Sequence, residues 1–473
     1  MNCKNLILCL LLPFICGRSF AQKVSVSGRL DSLFSTLAVQ HQFSGSVLIA
    51  EKGKVVYKGA RGIADEQSKT LNNVQTIFEL ASCSKQFIGV GIALLHRDGV
   101  LQYNDDITRY LPELSSFKGV TIYNLLHHTS GLPEFLADFR KEWHNKHIAT
   151  NADLIAYYAA GQQPLDFEPN SRYQYCNTNY ALLATIIERV SGRELGEFLS
   201  ARIFKPLKMD RTFVYNRRLQ PRLVQNYAYG YVWLKNSFEK VTEDDERNGS
   251  ERMTYYMDGI VGAAKVNSTV EDLYKWMKAV QEHALLKPGE WEEVLALSTT
   301  RDGKKVSYGF GFELRKKEGK LLSYGHTGSW DGYTTLLFHD AQKDRTIIVL
   351  NNFDKGICPY EEIKAILDDT VAVNPIPRKV HLPVSAIEKF AGVYKDPDHP
   401  ATEHIISFLD GHLVYNTNKV QWDMRFFPVA AKVFRAIRQG GADGLLRFTR
   451  QADGSLTLEM LEYGSLVGKG ILQ

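Results

Sequence analysis

The chain is poor in cysteine: it has six in 473 residues, and Cys3, Cys9 and Cys16 all fall within the first 22. Cys83, Cys176 and Cys358 are left, an odd number that cannot build a disulfide framework and leaves at least one thiol free. No pair has zinc-site spacing, so no metal is expected, nor any cofactor. An excess of charge of one sign is also missing. The formal net charge is +4, and about +2 once Lys4 and Arg18 are set aside, which argues for neither nucleic acid nor an anionic membrane surface, and no nucleic-acid partner is expected. Beyond the start no apolar run is long enough to cross a bilayer. No repeat or low-complexity tract occurs, and no G-x-S-x-G elbow, which disfavours a Ser-His-Asp hydrolase of that type.

What is there begins with "MNCKNLILCLLLPFICGRSFAQ". A short polar head with Lys4 precedes an apolar stretch from Leu6 to Ile15 and the small residues Ser19 and Ala21. The pattern reads as a secretory signal over residues 1–21, implying an exported, periplasmic or extracellular protein. A lipoprotein site at Cys16 is disfavoured, because Ile15 is bulky where a small residue is wanted.

The remaining length suits a large domain and a small one. Residues 22–373 alternate strand-like and helical patterns. "FSGSVLIAEKGKVVYKGARG" reads as two strands around a Lys52-Gly53 turn, and "FIGVGIALLHRDG" as an apolar helix stopped at Gly99. A helical middle runs from Tyr123 to about Met209. "TVEDLYKWMKAV" is a helix capped by Ser268 or Thr269. Four strand-like runs ("YGFGFEL", "LLSYGHTGS", "YTTLLFHD", "RTIIVLNNF") precede a helix over residues 361–372. The charged, aperiodic residues 237–253 read as a loop or lid. Residues 374–381, with prolines, form a linker, and residues 382–473 hold short strands separated by Gly, Asn or Asp turns, a small antiparallel sheet or barrel.

The chemistry centres on "ELASCSKQF", where Ser82 and Lys85 form S-x-x-K. Three residues apart on a helix, the two side chains share a face. A serine hydroxyl needs a neighbour to take its proton, and a lysine does so when burial or a nearby cation depresses its pKa. By itself the motif is weak, and a cap at Ser82 or Ser84 with an exposed lysine is the favoured reading. Downstream stand Tyr175-Cys176-Asn177 in "FEPNSRYQYCNTNYALLATIIERVSG" and His326-Thr327-Gly328 in "GHTGSWDGY".

S-x-x-K, Y-x-N and H-T-G in this order resemble the penicillin-recognising serine hydrolases of the class C β-lactamase and D-alanyl-D-alanine carboxypeptidase branch. "LLHHTSGLP" and "DDITRYLPE" are similar to that family too, and the resemblance spans roughly residues 42–354. It implies an α+β fold: an antiparallel sheet flanked by helices, a helical subdomain, and the site between them, here followed by the small all-β domain. It implies Ser82 as acylated nucleophile, Lys85 as proton acceptor and Tyr175 as relay to the leaving group. Asn177 would contact a substrate amide and hold Lys85. His326 and Thr327 would face the substrate from a strand edge, Gly328 would let the substrate backbone approach, and the N–H groups of Ser329 and Ser82 would make an oxyanion hole. A phenol beside an ammonium is expected to have a lowered pKa.

Where relatives carry K-T-G, His326 replaces a fixed cation with a largely neutral ring, which loosens any demand for a substrate carboxylate. The ranking is therefore a peptidase for D-amino-acid-containing peptides, possible peptidoglycan fragments included, then an esterase or amidase, then a β-lactamase. A sensor that binds without turnover is the reading from another class. His127 and His128 are adjacent and diverge, which favours loop packing over metal. Trp330, Asp331 and Tyr333 either line the pocket or pack. A Cys83–Cys176 disulfide is disfavoured, and so is Cys83 as nucleophile. Oligomeric state is not legible. A loop of the C-terminal sheet, or residues 237–253, is expected to overhang the cleft.

Overall fold

A computed structural model describes residues 24–39, 42–143, 147–161, 163–234, 237–241, 254–354, 356–371, 380–409, 411–418, 424–437, 443–462 and 465–473. The putting-together of the main sheet follows from its apolar strands. β1 (Gly45–Glu51) and β2 (Lys54–Arg61) form a hairpin. Its two-residue turn puts Lys52 at φ 50° and Gly53 at φ 73°, the left-handed pair that matches strand twist. Four more strands follow late in the chain: β3 (Glu313–Lys317), β4 (Lys320–Trp330), β5 (Tyr333–Asp340) and β6 (Arg345–Asn351). The sheet order is β3-β4-β5-β6-β1-β2, antiparallel throughout.

Alternation sends successive side chains to opposite faces. Val47, Ile49, Ile347 and Val349 pack with Leu30, Phe34 and Leu37 of α1 (Val26–Val39). Leu48, Ala50, Ile348 and Leu350 pack on the other side with α2 (Lys85–Arg97), α3 (Asn177–Ser191) and α4 (Val270–Gln281). Both faces are covered, so β1 and β6 read as continuous apolar runs. α2 is buried from Lys85 to Leu95, as befits a helix apolar all round. Thr269 caps α4 by accepting from the Asp272 N–H at 3.2 Å.

Two expectations need adjusting. The helix expected over residues 361–372 is α5 (Tyr360–Leu367); the chain leaves it where Asp369 turns left-handed at φ 55°. Most of "YGFGFEL" is a loop, because Phe310 N–H bonds to Val294 O and Gly311 adopts φ 82°, which holds the segment against α2. Strand pairing begins only at Glu313.

Eight antiparallel strands, from Gly392–Lys395 to Ser465–Leu472, close into a barrel with the first paired to the last. It has its own core, including Phe390, Tyr394, Phe426, Phe434 and Phe448. Residues 1–21 and nearly all of 374–381 lie outside the described residues, as does most of 237–253; within the last, Ser237–Glu239 is a strand paired to Val232–Leu234. Among the described residues no helix is long and apolar enough to cross a membrane.

Candidate active site

Ser82 sits in a 3-10 turn, Ala81–Ser84, that leads into α2. In a 3-10 turn residues three apart eclipse one another, so Ser82 and Lys85 are aligned more closely than on an α-helix. Ala81 holds φ 48°, an uncommon conformation for a residue with a Cβ. Neighbours enforce it: Leu80 N–H bonds to Val266 O, and Ser84 Oγ accepts from Val266 N–H at 3.0 Å. Neither serine caps the helix, since Ser84, at the cap position, makes no side-chain cap bond.

Lys85 is fully buried. Its Nζ lies 3.0 Å from Ser82 Oγ, 2.9 Å from Asn177 Oδ1 and 2.8 Å from Ala263 O. Burial lowers its pKa to about 7, against the opposing pull of Glu134. A neutral amine has two N–H donors and one lone pair. Asn177 Oδ1 and Ala263 O can only accept, so they take the two donors and aim the lone pair at the Ser82 hydroxyl.

Asn177 is oriented by Glu134, which was not singled out in the sequence. One Glu134 oxygen accepts from Asn177 N–H at 2.7 Å and Asn177 Nδ2 at 3.1 Å, and the other from Leu136 N–H at 3.2 Å. The amide oxygen is thereby turned to Lys85.

Tyr175 lies in the segment just ahead of α3, its ring centroid 5.1 Å from Lys85 Nζ. The expectation of a lowered phenol pKa is overturned: burial raises it, and Glu313 adds to the effect. Burial thus keeps Tyr175 a neutral phenol. The ring of His128 packs on it at 4.3 Å, and His128 Nδ1 accepts from Cys176 N–H and Asn179 Nδ2, each at 3.1 Å. His127 bonds through Nδ1 to Tyr308 O at 2.7 Å. Both histidines are loop-packing residues.

β4 carries the third motif. β3 pairs with it only as far as Gly325, so Thr327 to Ser329 lie beyond the end of that partner. Gly328 packs on the Ser82 turn: a Cβ there would stand 2.5 Å from Leu80 O and 2.3 Å from Thr335 Oγ1. Its missing side chain therefore serves contact with the chain itself, where substrate approach was expected. His326 is buried, and burial lowers its pKa to about 4. Nδ1 faces Thr327 O and Nε2 lies 2.9 Å from Tyr308 Oη. A carbonyl only accepts, so Nδ1 carries the proton and Nε2 accepts from Tyr308. Both nitrogens are engaged within the chain, and His326 supports the strand from beneath. Thr327 donates from N–H at 3.2 Å and Oγ1 at 3.1 Å to Glu313 Oε1.

A cleft of about 450 Å³ opens over Ser82, lined by Asn177, Lys265, Ser329, Trp330 and an apolar wall of Phe135, Leu136, Met257 and Ile260. No described lining residue comes from the barrel or residues 237–253, so the expected overhang is not found among the described residues. Trp330 lines the cleft. Asp331 and Tyr333 pack: Asp331 pairs with Arg217 and Arg218, and Tyr333 Oη donates to Ala228 O at 2.7 Å.

Glu79, Asp258 and Asp331 bring carboxylate oxygens within 4.8 Å of one another. Lys265 pairs with Glu79 and Asp258, and Arg218 with Asp258 and Asp331. Three cations thus answer three acids, a closed ionic network that braces Lys265 under the cleft. Cys83, Cys176 and Cys358 are free thiols. Burial raises Cys83 to about 12, and its Sγ donates to His326 O at 3.1 Å, so it is no nucleophile.

Residues 30–368 match the Beta-lactamase family. The chain belongs to that family. It is accordingly a serine hydrolase, and the S-x-x-K, Y-x-N and H-T-G resemblance holds. Among curated relatives, a penicillin-binding protein of Bacillus subtilis (strain 168) is 38% identical over 335 residues, 70% of this chain and 73% of its own. A D-aminopeptidase of Brucella anthropi is 28% identical over 66% of this chain, which spans 56% of that protein. Among solved structures, an octameric penicillin-binding protein homologue from Pyrococcus abyssi superposes with TM-score 0.62 at 21% identity, covering 95% of this chain and all of that one. The likeness of fold thus extends into the C-terminal strands.

The sequence reading missed Glu134, Tyr308 and Glu313. Glu134 stands one residue beyond the family-like stretch "LLHHTSGLP", and that adjacency is the signal that could have pointed to it. The other two carry no local signal.

Proposed function

We propose that this hydrolase forms an acyl-enzyme at Ser82 and acts on amides or peptides of D-amino acids with apolar side chains. The observation that carries the reading is the 3.0 Å approach of the buried Lys85 amine to Ser82 Oγ. Ser82 passes its proton to Lys85 as Oγ attacks the carbonyl carbon. The oxyanion is received by the N–H groups of Ser82 and Ser329. As the C–N bond breaks, Tyr175 gives its proton to the departing amine and recovers one from Lys85. Water then attacks the ester, its proton leaving through the same groups, and acid and free Ser82 are released.

The wall of Phe135, Leu136, Met257 and Ile260 suits an apolar acyl side chain. The D-configuration is drawn from the likeness to a D-aminopeptidase. The leader-like pattern of residues 1–21 supports export, where peptidoglycan-derived peptides are met. An esterase is the second reading, favoured by the neutral state of His326.

The test is hydrolysis of D- and L-phenylalanine amide and their dipeptides by the wild type and Ser82→Ala. The D-series should be preferred and Ser82→Ala inactive. Equal rates on both series would remove the D-specific reading, and turnover by Ser82→Ala would remove the acyl-enzyme.

A further inference from the structure

Thr327 presents two donors, its N–H and its Oγ–H, and both converge on one oxygen of Glu313 at 3.2 and 3.1 Å. His326 Nδ1, whose proton goes to Thr327 O, lies 3.5 Å from the same oxygen. Donors so grouped at the end of a strand form a carboxylate-binding site. The chain fills this one with a carboxylate of its own, from a side chain that is 40% exposed. Glu313 opens β3, opposite Gly325 and two residues short of Thr327, so strand register delivers it there.

Tyr175 is a neighbour of this motif, its ring centroid 6.1 Å from that of His326, and feels the charge of Glu313. Tyr175 is the proton donor to the leaving group under the reading above, and the present inference rests on that reading. The leaving group therefore departs past Thr327 and Glu313.

We propose that Glu313 determines leaving-group specificity by occupying the Thr327 donor pair, so that a free carboxylate next to the scissile bond is repelled. Amide, ester and cationic leaving groups are accepted in its place. The enzyme is thus set against carboxypeptidase-type substrates, whose leaving amino acid carries a carboxylate, and towards amides and blocked or longer peptides. Two negative charges about 6 Å apart at a half-exposed site cost on the order of a tenfold change in rate.

The test compares wild type with Glu313→Gln on two acetate esters that share their acyl group, one of 4-hydroxybenzoate and one of 4-hydroxybenzamide. Intrinsic ester reactivity cancels in the ratio of ratios. Glu313→Gln should raise kcat/KM for the anionic ester relative to the neutral one by about tenfold, and Glu313→Ala by at least as much. A ratio unchanged within twofold in both variants overturns the proposal. The acyl group is achiral, so a failure of the D-amino-acid reading would appear in the D/L comparison and leave this ratio untouched.

Discussion

The amine of Lys85 stands 3.0 Å from the hydroxyl oxygen of Ser82, sealed from solvent, with its other two bonds going to Asn177 Oδ1 and Ala263 O. The proton-accepting form of Lys85 is the neutral one, and its pKa is lowered to about 7 by burial. kcat/KM should therefore rise tenfold per pH unit below about 7 and level off above it. His326, held down to about 4, should add no inflection near its ordinary value of 6.5. A pH profile on a neutral ester checks both; a flat profile across neutrality would contradict the role of Lys85.

Tyr175→Phe removes the hydroxyl and keeps the ring packed on His128 at 4.3 Å. kcat should fall by about 10²- to 10⁴-fold with little change in Tm. Steady-state kinetics and thermal denaturation on the same preparation decide it. A fall of less than about threefold would mean that another group protonates the leaving amine.

Glu134→Gln places an NH₂ donor where the carboxylate accepts from Asn177 and Leu136. The lost bonds should cost about 1–3 kcal/mol of stability, read by urea unfolding. The Glu134 charge also holds the Lys85 pKa up, so its removal should move the ascending limb of the pH profile to lower pH. A limb that stays in place would show that Glu134 acts only through Asn177.

Gly328→Ala would push a Cβ to 2.5 Å from Leu80 O and 3.1 Å from Ser82 N. Leu80 O is backbone and cannot swing aside, so either β4 or the Ser82 turn must move. Stability should drop by about 1–3 kcal/mol and the rate of acylation more than tenfold. Thermal melts together with burst kinetics on a p-nitrophenyl ester measure the two effects. Unaltered acylation would show that the turn tolerates displacement.

The local elements were readable because their causes are local. Lys52-Gly53 announces a hairpin, Thr269 a helix start, and the apolar run after Lys85 a buried helix. The three motifs were readable together because each has a fixed spacing, although Ser82 and Lys85 alone read better as a cap and a surface charge. The closed barrel was foreseen only as a sheet or barrel, since closure depends on pairing Tyr394 with Leu472, residues far apart in the chain.

What the sequence by itself determined was the set of groups proposed to react, Ser82, Lys85, Tyr175 and Asn177, and the elements that carry them. The tertiary structure alone decided their states. Burial made Lys85 a base and kept Tyr175 a neutral phenol, and it turned His326 into an engaged, neutral support. Register alone brought Glu313 to Thr327 and Gly328 to the Ser82 turn. Desolvation and contacts across hundreds of residues depend on the packed chain as a whole, and no window of sequence contains them.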